Sequence, residues 1–243
     1  MMNKRSIVFV QFLVLAVLLI TACNLNAVRG SGDVITETRE VSNFDRIDLA
    51  GSGDVVVIQS GDESLTIETD DNLMEYIVAE VRNGTLMLGF EPGFNLISST
   101  RLIFTVGVDD LAGVSVSGSG NVEAENIDTG RLTTTISGSG NLSIDTLNAD
   151  AVTANISGSG EITLAGVATT QDITISGSGN YRAGDLQSSS AEVNVNGSGT
   201  ATVWASESLS ANISGSGTVS YYGQPAVSSS GGGSGEVIGL GEK

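Results

Sequence analysis

The sequence predicts an all-β protein built as a parallel β-helix, a solenoid with coils of about 20 residues, and three observations carry that prediction. Gly-Ser-Gly recurs from Gly118, Gly138, Gly158, Gly177, Gly197, Gly215 and Gly233, in steps of 20, 20, 19, 20, 18 and 18 residues. Apolar residues keep phase with the triplet. Val116, Ile136, Ile156, Ile175, Val195 and Ile213 lie two positions before it, and Val122, Leu142, Ile162, Tyr181, Ala201, Val219 and Val237 lie four after. Ile127, Leu147, Val167 and Leu186 mark a third inward point nine positions after it. Between these points the pattern alternates with period two, as in Val114-Ser115-Val116, which reads as strand with one face buried.

Strands separated by Gly-Ser-Gly also fit the hairpins of an antiparallel sandwich. A hairpin ladder reverses direction at every triplet, however, and requires no unchanging inward code. A parallel β-helix requires one, because each coil stacks like side chains on the coil below. Glycine at both ends of the triplet allows positive φ and close approach of stacked backbones. The central serines, Ser119, Ser139, Ser159, Ser178, Ser198 and Ser216, then form a ladder along one edge. At ~4.8 Å per stacked strand, the run from Gly118 to Gly233 makes a rod of roughly 29 Å.

The chain opens with Lys4 and Arg5, followed by an apolar run from Ile7 to Ile20 that suits a signal peptide over residues 1–22 better than a membrane span. The run ends in Leu19-Ile20-Thr21-Ala22-Cys23, which resembles a bacterial lipobox. In that reading the Cys23 thiol takes an acyl glyceryl group and becomes the first mature residue, and its small neighbours admit the peptidase. An ordinary signal peptide beside an incidental cysteine is the alternative. Each buried methylene of an acyl chain adds ~0.8 kcal/mol, so several chains anchor stably. The expected location is extracytoplasmic, tethered to the cell membrane or the outer membrane. Asn24, in place of a retaining aspartate, favours the outer membrane where one exists. Cys23 is the only cysteine, so no disulfide is available and packing must supply the stability.

Residues 23–32 read as a lipid-anchored linker, with Gly30-Ser31-Gly32 in a first incomplete coil. Residues 33–112 form an irregular N-terminal β region. Within it, Val34 to Ile58 gives two strands around a turn at Gly51, and Leu65-Thr66-Ile67 a further one. Asn72 to Val81 is a short helix or a strand, Arg82-Asn83-Gly84-Thr85 a tight turn into Leu86-Met87-Leu88, and Leu102 to Val108 a fully buried strand. The regular repeat occupies 113–240, with fraying expected from Ser228 onward.

Lys4 and Arg5 precede Cys23, so eight basic residues face 28 acidic ones in the mature chain. That excludes nucleic acid and anionic lipid surfaces as expected ligands, since both need basic patches. The sequence contains no histidine, which removes His-based general-base catalysis, Ser-His-Asp and Cys-His nucleophiles, and His-containing zinc sites. Asp128-Thr129-Gly130 matches the aspartic-protease triplet, but only once and at a phase where a solenoid corner is expected. Asp54, Asn121, Asn141, Glu161, Asn180, Thr200, Thr218 and Glu236 follow the triplets. They offer oxygen ligands to calcium or, on the preferred reading, a stacked polar ladder bonded along the axis. No metal or other cofactor is expected. Thr133, Thr134 and Thr135 offer a hydroxyl-rich exposed face or, on the preferred reading, are ordinary strand residues. Trp204, Tyr221 and Tyr222, with Tyr181, make a candidate sugar-stacking patch, or else large side chains that seal the end of the core.

The Gly-Ser-Gly repeat, Phe44-Asp45-Arg46-Ile47-Asp48-Leu49 before Gly51-Ser52-Gly53, and Leu111-Ala112-Gly113-Val114-Ser115-Val116 before Gly118 resemble the putative auto-transporter adhesin, head GIN domain family, from about Val34 to Val237. The resemblance implies a right-handed β-helix on a bacterial surface and supplies no catalytic motif. This sequence lacks the membrane β-barrel that an autotransporter needs after its passenger. The expected function is that of a non-enzymatic cell-envelope lipoprotein, adhesin-like or a structural spacer, with a glycan or surface protein as partner. The alternative is a carbohydrate-active β-helix enzyme, a lyase or hydrolase acting on extracellular polysaccharide.

Overall fold

The computed structural model describes residues 27–97 and 101–243, so the signal peptide, the lipobox and Cys23 lie outside the described residues. In chain order the strands are β1 (Ala27–Arg29), β2 (Val34–Arg39), β3 (Arg46–Leu49), β4 (Asp54–Gln59), β5 (Ser64–Asp70), β6 (Ile77–Arg82), β7 (Thr85–Phe90), β8 (Asn95–Ile97) and β9 (Ile103–Val108). They continue as β10 (Gly113–Val116), β11 (Asn121–Ile136), β12 (Asn141–Ile156), β13 (Glu161–Ile175), β14 (Asn180–Val195), β15 (Thr200–Ile213), β16 (Thr218–Tyr222), β17 (Ala226–Ser230) and β18 (Glu236–Gly239). One 3₁₀ turn, Met74–Tyr76, interrupts the strands, and no α-helix occurs among the described residues.

From β10 onward every pairing is parallel, and the register follows the repeat apart from slips within the β12–β13, β13–β14 and β14–β15 pairs. Like therefore stacks on like: Val122 pairs with Leu142, Leu142 with Ile162, Ile162 with Tyr181, Tyr181 with Ala201 and Ala201 with Val219. The sequence pattern suggests short strands, whereas β11, β12 and β14 each run for 16 residues. Their alternation slips by one where two outward residues adjoin, at Glu125-Asn126 and again at Gly130-Arg131 in β11. With the Gly-Ser-Gly segment, each coil changes face three times. The inward residues of all coils merge into one apolar core running from Phe44 to Val219.

The glycines of the repeat are required by proximity rather than by dihedral angle. From Gly51 onward, only Gly51 (φ 107°) and Gly53 (φ 139°) among the triplets occupy the positive-φ region expected from the sequence. In the later triplets a Cβ on the first glycine would overlap the backbone of the preceding triplet: at Gly158 it would meet the carbonyl of Gly138. A Cβ on the second, Gly160, would also meet the Ile136 methyl. The space that side chains would fill is taken by a backbone ladder. Ser139 N–H donates to Gly118 O (3.0 Å), Ser159 N–H to Gly138 O (3.0 Å) and Ser178 N–H to Gly158 O (3.0 Å).

Three expectations need correction. Val167 is not an inward point: it is 48% exposed, because β13 is one residue shorter than its neighbours and Gly166 takes the place opposite Leu147. Thr134 is buried, its hydroxyl donating to Thr153 O (3.4 Å), so only Thr133 and Thr135 of that run face outward. Gly30-Ser31-Gly32 stands apart from the glycine column. Gly30 N–H binds Ile97 O, and Ser31 bonds to Asn72 and Asp71, beside the short β1–β8 pair.

The N-terminal region departs from the repeat where antiparallel pairings enter. β5 pairs antiparallel with β2 and β9, and β6 with β7 through the turn at Asn83 (φ 51°) and Gly84 (φ 78°). The expected strands at Leu65–Ile67 and Leu86–Leu88 fall within β5 and β7, the one at Leu102–Val108 begins as β9 at Ile103 and is half-buried at Ile103 and Thr105 rather than fully buried, and Val34 to Ile58 yields three strands rather than two. At the other end the Gly/Ser-rich segment does not fray. β17 and β18 pair in register on β15 and β16, and the chain then folds back to the side of the rod.

Candidate functional site

The outward columns are ladders of short polar side chains. Arg101 Nη2 donates to Asp54 Oδ2 (2.7 Å), Asn121 Nδ2 to Asp54 Oδ1 (2.9 Å) and Asn141 Nδ2 to Asn121 Oδ1 (2.9 Å). Further along the column Thr200 Oγ1 donates to Asn180 Oδ1 (2.8 Å), while Glu161 accepts from Arg182 Nε (2.6 Å). These are bonds between coils, so each side chain is held at the spacing of the strands. Among the described residues no group of three or more Cys, Asp or Glu stands together as a metal site. In that column the oxygens of Asp54, Asn121, Glu161 and Asn180 are engaged by amides, a hydroxyl and guanidinium groups.

Two carboxylates respond oppositely to their surroundings. Burial pushes Asp54 up, but the hydrogen bonds from Arg101 and Asn121 and the Arg101 charge outweigh it, holding Asp54 below the usual carboxylate range. Burial pushes Asp48 up, and its hydrogen bond to Ser115 only partly opposes this. One oxygen of Asp48 is buried without a hydrogen-bond partner among the described residues.

The four aromatic residues singled out from the sequence part company. Tyr181 is fully buried and unavailable to a ligand; its hydroxyl donates to Gln171 Oε1 (2.8 Å), and burial pushes its phenol well up. Tyr221 points inward and packs on the core, with its hydroxyl beside Gly239. Trp204 and Tyr222 remain together. They are register partners on β15 and β16, both half-buried, on the outside of the rod. Sequence reasoning missed their companions. Lys243 places Nζ 4.8 Å from the Tyr222 ring centroid and 5.8 Å from that of Trp204, where it bonds to Gly184 O (2.7 Å) and pairs with Asp185. The available signal was that Lys243 is the one lysine after Cys23.

A second concavity, a groove of about 580 Å³, lies over β4, β11 and β12. Val56 and Ile58 form its apolar side, and Glu123, Glu125 and Asp145 its acidic one.

A continuous parallel stack with one apolar core and polar outward ladders defines a β-solenoid. Residues 43–225 match the family described as putative auto-transporter adhesin, head GIN domain, and the chain belongs to that family. It is similar to the crystal structure of a putative adhesin from Bacteroides fragilis, at 29% identity and a TM-score of 0.84, over 88% of this chain and 100% of that one. A putative lipid binding protein from Parabacteroides distasonis (27% identity, TM-score 0.75) and a putative adhesin from the same organism (29%, 0.71) each align over 88% of this chain and 100% of theirs. No curated protein matches. The family and these structures are named as adhesins or a lipid-binding protein rather than as enzymes, which supports an adhesin-like protein at the cell surface. No helix among the described residues is long and apolar enough to cross a membrane.

Proposed function

We propose that this protein is a non-enzymatic envelope lipoprotein, held to the membrane by acylated Cys23, whose solenoid serves as a rigid adhesin-like binding module. The observation that carries the reading is the pairing of adhesin-family membership over residues 43–225 with outward columns already bonded side chain to side chain. Ladders fixed at strand spacing display a regular array of hydroxyls and amides with little rotamer freedom left to lose. Binding to an extended glycan or a surface protein is therefore favoured by preorganisation. The half-buried, outward-facing aromatic pair Trp204 and Tyr222 supplies the apolar contact that the ladders lack, with Tyr221 bracing it from the core side. The resemblance of Leu19-Ile20-Thr21-Ala22-Cys23 to a lipobox supports a rod held outside the cytoplasm on the cell or outer membrane.

The test is a screen of the mature protein against a glycan array and whole cell surfaces, with and without Ca²⁺. Saturable, reproducible retention that weakens in Trp204→Ala is the expected result. A protein that is folded by circular dichroism yet retained by no glycan or cell would overturn the adhesin reading in favour of a passive spacer.

A further inference from the structure

Lys243 follows the last strand, returns to the side of the solenoid and seats its ammonium in a site built from three other coils. Tyr222 and Trp204 present their rings at 4.8 and 5.8 Å, the Gly184 carbonyl accepts a hydrogen bond at 2.7 Å, and Asp185 supplies the opposite charge. Ring faces carry the negative lobe of the aromatic quadrupole, so two rings, a carbonyl and a carboxylate converge on one cation and on no anion.

The walls belong to the fold. Trp204 and Tyr222 are in register on neighbouring strands. Between Ala183 and Gln187 the β14–β15 register slips, and the slack residues include Gly184 and Asp185. Gly184 also clears space for the ring, since a Cβ there would come within 3.1 Å of Tyr222 Cε2 and 3.2 Å of Thr202 Cγ2. The occupant is different in kind: a flexible four-carbon stem, 32% exposed, on a segment beyond β18.

We infer that Trp204, Tyr222, Asp185 and the Gly184 carbonyl form a receptor for a primary ammonium group, filled here by Lys243 and opened to an external amine when the Lys243 side chain swings away. This rests on the reading of the solenoid as a binding module and gives that module a ligand chemistry. Lys243 is carried by a stretch itself bonded to the solenoid, Leu240 N–H donating to Tyr221 O (2.8 Å) and Gly223 N–H to Gly241 O (2.9 Å), so it competes as an intramolecular ligand that an external amine must displace.

Trp204 is the only tryptophan in the sequence, so its emission reports the site directly. The full-length protein, purified in nonionic detergent, is titrated with n-butylammonium chloride, using n-butanol and sodium chloride as controls. Lys243→Gln is expected to give a saturable change with the amine alone, about three- to tenfold tighter than the parent, by relief of the tethered competitor. Asp185→Asn in the same background weakens it again. Saturation by N-acetyl-lysine amide but not glucosamine assigns a protein source for the amine, and the reverse an amino sugar. If folded Lys243→Gln shows no saturable response, or responds equally to butanol, the receptor does not exist. If Lys243→Gln and Lys243→Ala both fail to fold, Lys243 is a structural post and the inference falls as well. Either failure leaves adhesion in the whole-cell screen untouched, so the two readings are separately decided.

Discussion

The Tyr181 hydroxyl donates to Gln171 Oε1 at 2.8 Å across a coil boundary, with the two side chains 0% and 2% exposed. Gln171 Nε2 continues to Ser188 Oγ (2.9 Å), and Ser188 Oγ to Trp204 O (2.8 Å), so a satisfied polar chain crosses an apolar core. It lies where coil lengths change, next to the short β13. A buried network of this kind rewards one register and penalises neighbouring ones. Tyr181→Phe removes the donor and strands the Gln171 oxygen, for an expected loss of ~1–3 kcal/mol in urea unfolding. Adding Gln171→Leu to Tyr181→Phe is expected to restore part of that loss, since both partners are then apolar. A double variant less stable than the sum of the singles contradicts the bond as described.

The glycine column makes a sharper prediction. Gly158→Ala drives a methyl into the Gly138 carbonyl, a backbone atom that cannot swing aside, and is expected to cost about 3 kcal/mol or more. Gly130→Ala lies in open space with nothing within 4 Å and is expected to stay within ~0.5 kcal/mol of the parent. Paired thermal melts decide it: similar losses at both positions would refute close approach of stacked backbones as the reason for the glycine column.

Much of this architecture was legible because a solenoid repeats its constraints. Ile136, Ile156 and Ile175 share a phase and also share a column, so each copy of the pattern corroborates the others. The exceptions were hidden where a single residue was deleted. Extrapolating the phase places Val167 inside, but the register closes over Gly166 and turns Val167 out. Gln171 was readable as a polar residue in the inward column of Leu132 and Val152, although its partner Tyr181 was not. The ammonium site was illegible for another reason. Lys243 lies 58 residues from Asp185, and nothing local in sequence links a chain end to a slipped register.

The same slip offers a test in which two apolar residues answer differently. Ile156→Asp buries an unpaired carboxylate in the core at a residue 1% exposed, and is expected to abolish cooperative folding or cost more than ~4 kcal/mol. Val167→Asp, at a side chain half in water, is expected to change stability by less than ~1 kcal/mol. Circular dichroism melts of the two variants measure this directly. Equal damage would put Val167 back in the core.

Asp54 and Asp48 predict opposite pH dependence. Asp54 titrates below its ordinary 3.8 in the folded state, so its contribution is present above that value and lost as pH falls through the lower, folded one. Asp54→Asn is therefore expected to lower the melting temperature slightly near pH 7 and to lose its effect toward pH 2, the effect being kept under ~1 kcal/mol by exposure of Arg101. Asp48 titrates above 3.8 when folded, so its ionised form carries a penalty that vanishes in acid. Asp48→Asn is expected to raise the melting temperature near neutral pH and to converge with the parent as pH drops. Melting curves taken from pH 7 to pH 2 check both signs, and a crossing in the other sense for either variant refutes its assigned environment.

The anchor is tested by the one atom it needs. Acylation at Cys23 requires a thiol, and serine keeps the size and polarity of the side chain while denying the thioether bond. Among the described residues the first pairing is at Ala27, and Cys23 is the sequence's only cysteine, so its replacement removes no disulfide from the solenoid. Cys23→Ser is therefore expected to release the protein from membranes while leaving its melting temperature unchanged. Fractionation under high salt separates the alternatives, because salt screens surface charge but leaves buried acyl chains in place. A Cys23→Ser protein that stays with the membrane after such a wash is retained by its apolar leader or its surface, and the lipoprotein reading fails with it.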